Sequence, residues 1–118
     1  MSRLNKTVGD KGEQTAADFL SKNGFEILER NFRHNHYEID LIVRKENLIV
    51  FCEVKTRRSD TYGPGEFAVD RKKQERIRKV AEAYVFLREL EEYEFRFDVV
   101  VVEPRGKTSK IRVIEDAF

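Results

Sequence analysis

The sequence predicts an α/β fold, a central mixed β-sheet flanked by helices in the order α-β-β-β-α-β-β. Three observations carry that prediction. Apolar residues recur at helical spacing in two stretches. Short runs rich in Val, Ile, Phe and Tyr have strand length. Polar and glycine-containing turns separate the runs, with no internal repeat, low-complexity segment or linker between them.

Taken in order, DKGEQTAADFLSKNG reads as a helix from about Lys11 to Asn23. Asp10 is placed to cap its N-terminus, Glu13 stands three residues later as in a capping box, and Asn23-Gly24 is a stop signal. FEILERNF and YEIDLIV follow as strands around a polar RHNH turn. LIVFCEVK, after Arg44-Lys45-Glu46-Asn47, is a third strand and forms an antiparallel hairpin with the second. TRRSDTYGPG is a polar loop with glycines on both sides of Pro64. From about Glu66 to Glu92 there is no Gly or Pro, and Ile77, Val80, Ala81, Tyr84 and Leu87 recur at helical spacing, so a long amphipathic helix is expected. Tyr84 and Phe86 are read as packing residues on it. FRFDVVVVE and KIRVIE are the last strands, joined by PRGKTS.

A length of 118 residues fits one domain, 1–118, and 40% hydrophobic residues including nine Phe and four Tyr can fill its core. No apolar run nears the roughly 18 residues of a membrane span, and MSRLNKTVGD lacks the apolar centre of a secretion signal. A cytoplasmic protein without membrane association is the expectation. Cys52 is the sole cysteine, which excludes an internal disulfide or a multi-thiolate metal site and leaves packing as its role. The net charge is only +1, but residues 71–79 hold six basic residues and one acid. Lys55, Arg57 and Arg58 add to them, while acids gather at Glu89, Glu91, Glu92 and Glu94.

Chemistry enters through VFCEVKTRR, where Glu53 and Lys55 interrupt an apolar strand. Alternation puts Ile49, Phe51, Glu53 and Lys55 on one face, with Leu48, Val50, Cys52 and Val54 on the other. On the preceding strand Glu38, Asp40 and Ile42 share a face, with Ile39, Leu41 and Val43 behind. If Val43 pairs with Leu48, Asp40 lies opposite Phe51 and diagonal to Glu53, about 7 Å away between α-carbons. A one-residue slip separates the two carboxylates. Glu13 shares a helix stripe with Ala16, Ala17 and Leu20 and brings a third acid, or else serves the capping box. Converging carboxylates repel unless a cation or proton intervenes, and an oxygen-rich set suits Mg²⁺ or Mn²⁺. With Lys55 to steady developing negative charge and a basic region to hold phosphates, the pattern points to phosphodiester hydrolysis in nucleic acid. A structural Glu53–Lys55 ion pair is the plain alternative. His34 and His36 alternate with Glu38 and Asp40, as a His-carboxylate zinc site would, but a polar turn explains them more simply. Arg96 and Asp98 are read as a structural pair, placed beneath the site.

The ordered set Glu13, Asp40, then Glu53-Val54-Lys55 resembles the PD-(D/E)xK nuclease superfamily, which includes restriction endonucleases and archaeal Holliday junction resolvases. More closely, the chain resembles the YraN-like family of small predicted bacterial endonucleases. The shared motifs are G-x-x-G-E at Gly9 to Glu13, N-x-R at Asn31 to Arg33, EIDLI at Glu38 to Ile42 and EVKTR at Glu53 to Arg57. G-x-x-E-F-A-V around Gly63 to Val69, Lys73 and Arg76 with Ile77, and RFDVV at Arg96 to Val100 complete the pattern. One departure is Tyr37, where the family usually has glycine. The resemblance implies a restriction endonuclease-like fold and a Mg²⁺-dependent endonuclease of DNA, including branched or structured DNA. Its catalytic core would be Glu13, Asp40, Glu53 and Lys55, with the metal carried mainly by Asp40 and Glu53 and Glu13 as the further carboxylate. Arg57, Arg58, Arg71, Lys72, Lys73 and Arg76 would face nucleic acid, Lys73 as an auxiliary substrate-binding residue. Resolvases act as homodimers because they cut two strands, although nothing in this sequence identifies a dimer surface. The superfamily also includes members that bind without cutting, so a nucleic-acid-binding module is the second expectation.

Overall fold

A computed structural model describes the backbone of residues 3–57 and 69–118, with side chains from residue 11 onward. Its elements are α1 (Arg3–Lys22), β1 (Glu26–His34), β2 (Tyr37–Lys45), β3 (Leu48–Thr56), α2 (Arg71–Arg88), β4 (Glu94–Arg105) and β5 (Thr108–Ile114). The strands form one sheet in the order β1-β2-β3-β4-β5. β3 and β4 are parallel, joined by the α2 crossover, and the other neighbours are antiparallel. The expected α/β fold with a mixed sheet and flanking helices is what the chain adopts.

Helices on both faces make two cores. Ala16, Ala17 and Leu20 of α1 pack on Leu41, Val43, Val50, Cys52, Val100 and Val102. Ile77, Val80, Ala81 and Tyr84 of α2 pack on Ile39, Ile42, Ile49, Phe51, Val99 and Val101. The two central strands are therefore apolar on both sides. Burial pushes the Cys52 thiol up from its ordinary value, in keeping with a packing role.

Several expectations need correction. α1 starts at Arg3, so Asp10 lies inside the helix and is not its cap, and the capping-box role of Glu13 falls with it. Its end is as expected: Gly24 takes φ 90°, and the Phe25 and Gly24 amides donate to the Leu20 and Ser21 carbonyls. α2 is shorter than the Gly- and Pro-free stretch. Asp70 caps it by accepting from the Lys73 amide, and Glu89 ends it in the left-handed region at φ 55°. Leu87 and Phe86 are 60% and 76% exposed, so neither is the packing residue expected. The TRRSDTYGPG loop beyond Arg57 and the first residues of the expected helix, Arg58 to Ala68 together, lie outside the described residues. Among the described residues, no helix is long and apolar enough to cross a membrane.

Hairpin register is also corrected. Val43 pairs with Val50, and Lys45 with Leu48 across a two-residue Glu46-Asn47 turn. Carried along the strands, this pairing sets Asp40 level with Glu53, two residues from the expected partner Phe51. The even shift keeps the same side-chain parity. The assumed alternation along β2 does not hold, however. Ile39 and Ile42 enter the same α2-side core, whereas Leu41 and Val43 enter the other. The change of face falls at Asp40, in line with Asn31 of β1, which takes φ 52° between the pairs Arg30–Leu41 and Phe32–Ile39. A left-handed residue inside a strand turns the neighbouring side chains over without changing the residue count.

Candidate metal centre and nucleic-acid face

The site grows out of that irregularity. The β2–β3 ladder ends at Leu41–Cys52, although β2 reaches back to Tyr37 and β3 on to Thr56. Where the strands part, the Val54 amide donates to Asp40 Oδ2 at 2.8 Å, so a carboxylate occupies a place a strand carbonyl would otherwise take. Asp40 is thus held by the backbone between the two faces of the sheet.

From the α1 side come two further acids. Carboxylate oxygens of Glu13, Glu38 and Asp40 lie within 4.8 Å of one another. Glu13 shares the stripe of Ala16, Ala17 and Leu20, as its spacing requires. A Cβ at Gly12 would run into the Thr56 hydroxyl, so glycine there lets α1 approach the end of β3 and brings Glu13 to the notch. Glu38 was not assigned a role from sequence. Its place two residues before Asp40 on a strand was the available signal.

From the α2 side come Glu53, Lys55 and Lys73. Glu53 is only 9% exposed, and Lys73 Nζ donates to its Oε1 at 2.6 Å. Lys73, in the first turn of α2, is therefore an ion-pair partner of Glu53, and Lys55 feels the Glu53 charge as well. Lys55 lies close enough to Glu53, Lys73, Arg57 and Asp70 to feel their charges. Burial first, then the Lys73 ammonium, holds it below the usual lysine value.

Electrostatically the centre of the notch is Asp40. Burial, then Glu53, and more weakly Glu13 and Glu38, push its pKa from 3.8 up to about 7, against the Val54 hydrogen bond, which lowers it. Three carboxylates thus act on that of Asp40, Glu38 from β2, Glu53 from β3 and Glu13 from α1, and of these Glu13 and Glu38 share the 4.8 Å group with it while Glu53 stands outside that group. The donor set is all oxygen, which suits a hard divalent cation better than zinc. Neither histidine belongs to the acidic group. Asn35 and His36 form the two-residue turn between β1 and β2, both at positive φ.

The expected nucleic-acid residues have several fates. Arg71, Lys72, Lys73 and Arg76 are exposed on the first two turns of α2. Arg76 stacks on Tyr37, 4.9 Å from the ring centroid. Arg57 is half-buried and donates to the Thr56 carbonyl at 2.8 Å. Arg58 is outside the described residues. Arg96 and Asp98 do pair, through two hydrogen bonds of 2.9 Å. Asp98 also accepts from the Asp116 amide, so this pair fastens the C-terminal segment. Its neighbours across a surface depression are Phe25, Lys45 and Glu115. Asp98 pairs with Cys52 of β3, the residue before Glu53, so the pair lies one strand away from the notch, as its expected place beneath the site requires.

Fold and site together define a small α/β protein whose central strands part around a carboxylate cluster backed by two lysines. The chain belongs to the uncharacterised protein family UPF0102, whose model matches residues 12–102. This is the YraN-like family that its motifs resemble. It is 46% identical over 114 residues to a UPF0102 protein of Syntrophus aciditrophicus, covering 97% of this chain and 90% of that one. Against the UPF0102 protein of Caldanaerobacter subterraneus subsp. tengcongensis the identity is 48% over 122 residues, with 100% of both chains covered.

Proposed function

We propose that this protein is a divalent-metal-dependent endonuclease of the PD-(D/E)xK superfamily, hydrolysing phosphodiester bonds in DNA, including branched or structured DNA. The observation that carries the reading is the convergence of Glu13, Glu38 and Asp40 on one point, with Glu53 acting on the same carboxylate from the other face. Mutual repulsion at that density calls for a cation, and Asp40, Glu53 and Glu13 are the residues that would hold Mg²⁺ or Mn²⁺. When bound, such an ion supplies Lewis acidity toward a phosphoryl oxygen and makes a water easier to deprotonate. Lys55, on the same strand face as Glu53, contributes a partly desolvated ammonium for the charge that develops on phosphorus oxygens. Arg71, Lys72 and Arg76 offer phosphates an exposed basic helix face.

The test is a cleavage panel of linear, flapped and four-way DNA with Mg²⁺ or Mn²⁺. Expected is metal-dependent cleavage, lost by about a hundredfold or more in Lys55→Ala and Glu53→Ala while Lys55→Ala retains DNA affinity. Absence of cleavage on every substrate overturns the reading.

A second reading, a nucleic-acid-binding module without activity of its own, is favoured by one observation. Glu53, a proposed metal ligand, is already engaged by Lys73 at 2.6 Å. Salt-sensitive DNA binding with no cleavage would select it.

A further inference from the structure

We propose that Tyr37 and Arg76 form a stacking platform for an unpaired nucleobase, so that the substrates selected carry a single-stranded nucleotide beside the carboxylate notch. This rests on the nucleic-acid reading above and adds the substrate class. Tyr37 opens β2, directly after the Asn35-His36 turn, and is 40% exposed. The Arg76 guanidinium lies over one face of the ring, 4.9 Å from its centroid, which holds the ring against α2 and leaves the other face as the one that would take a base. Arg76 stands one turn from Lys73, whose ammonium binds Glu53, and residues at that spacing are neighbours on a helix surface. Along β2, Tyr37 is three residues from Asp40, roughly 10 Å at the rise of a strand. An exposed aromatic ring, an arginine plane and the candidate reactive centre are therefore contiguous.

The ring's position decides which ligand it suits. A base inside a duplex has both faces covered by its neighbours and reaches a protein ring only by unstacking, whereas an unpaired base is free to lie on it. Stacking tolerates any base, because each has a π-face, and Arg76 can meanwhile neutralise the attached phosphate. Phe86, the most exposed large apolar side chain among the described residues, is not part of this platform. It lies ten residues farther along α2, about 15 Å at the helical rise.

The probes are a single-stranded oligonucleotide containing 2-aminopurine and its fully paired duplex, both with EDTA so that nothing is cleaved. Affinity is read by anisotropy and stacking by quenching of the 2-aminopurine. Tyr37→Ala is expected to bind the single strand roughly 5- to 100-fold more weakly, with the duplex changed by less than about twofold. Tyr37→Phe keeps the ring and is expected to behave as the parent, including the quenching, which a merely structural role does not produce. Equal losses on the two probes, a Tyr37→Phe as weak as Tyr37→Ala, or no quenching by the parent protein would each overturn the platform while leaving the nuclease reading intact. Failure to bind either probe even at low salt would overturn both.

Discussion

Asp98 on β4 and Asp40 on β2 are two aspartates withdrawn from water in the same sheet, with opposite surroundings. Asp98, 2% exposed, receives both arms of the Arg96 guanidinium and the Asp116 amide. Asp40 receives one amide and faces Glu53, Glu13 and Glu38. The first arrangement carries its own cation and holds a chain terminus in place. The second concentrates like charge, which costs stability and becomes favourable when a proton or metal ion joins it. Burial of an acid therefore does not by itself identify a site; the sign of its neighbours does.

The largest expected effect separates the two directly. Arg96→Ala leaves Asp98 buried without its counter-charge and is expected to destabilise the fold by about 3 kcal/mol, measured by urea unfolding at neutral pH. Asp40→Asn removes a repelled charge while an amide oxygen can still accept from Val54, so its stability should match or exceed the parent's. An Asp40→Asn loss as large as that of Arg96→Ala would abolish the contrast.

The next effect is the pH dependence. In the unfolded chain an aspartate releases its proton near 3.9, whereas Asp40 in the fold holds one until about 7. Between those values the folded state binds more protons, so this contribution is complete below about pH 4 and is lost as pH rises through 7. Unfolding free energy should fall by about 2 kcal/mol across that window, allowing for partial solvation of the cluster. The slope should be absent in Asp40→Asn and flattened by Mn²⁺, which takes the proton's place. A parent profile without that slope would mean that the carboxylates do not repel as their spacing requires.

Smallest is Lys73→Met. Lys73 is about half-exposed, so the loss of its bond to Glu53 should cost about 1 kcal/mol or less. Released from the ammonium, Glu53 should bind Mn²⁺ several-fold more tightly by calorimetry. Unchanged Mn²⁺ affinity would count against Glu53 as a ligand and sharpen the role of Glu13, Glu38 and Asp40.

Much of the fold was legible because its signals are local. The apolar run through Leu48 to Val54 marked the central strand, Asn23-Gly24 marked a helix end, and Glu53 with Lys55 on one strand face follows from a period of two. The mistakes fell where a local signal was overruled. Asp10 has a capping side chain, yet the helix runs through it. Glu66 to Glu92 lacks breakers, yet Asp70 and Glu89 bound the helix. Leu87 has core spacing, yet it is 60% exposed, while Val85 in the same turn packs against the core.

The sequence by itself determined the order of elements, the apolar β3, the basic first half of α2, and the residue types from which a carboxylate-lysine site can be made, because each depends on neighbours within a few positions. Tertiary structure alone decided that Asn31 and Asp40 turn the strands over together, and that Asp40 takes the Val54 amide where β2 and β3 part. It also decided that Glu38 joins Glu13, and that Lys73 of α2 reaches Glu53. Those outcomes depend on register between strands and on which helix meets which face, and an even register shift leaves every local pattern unchanged.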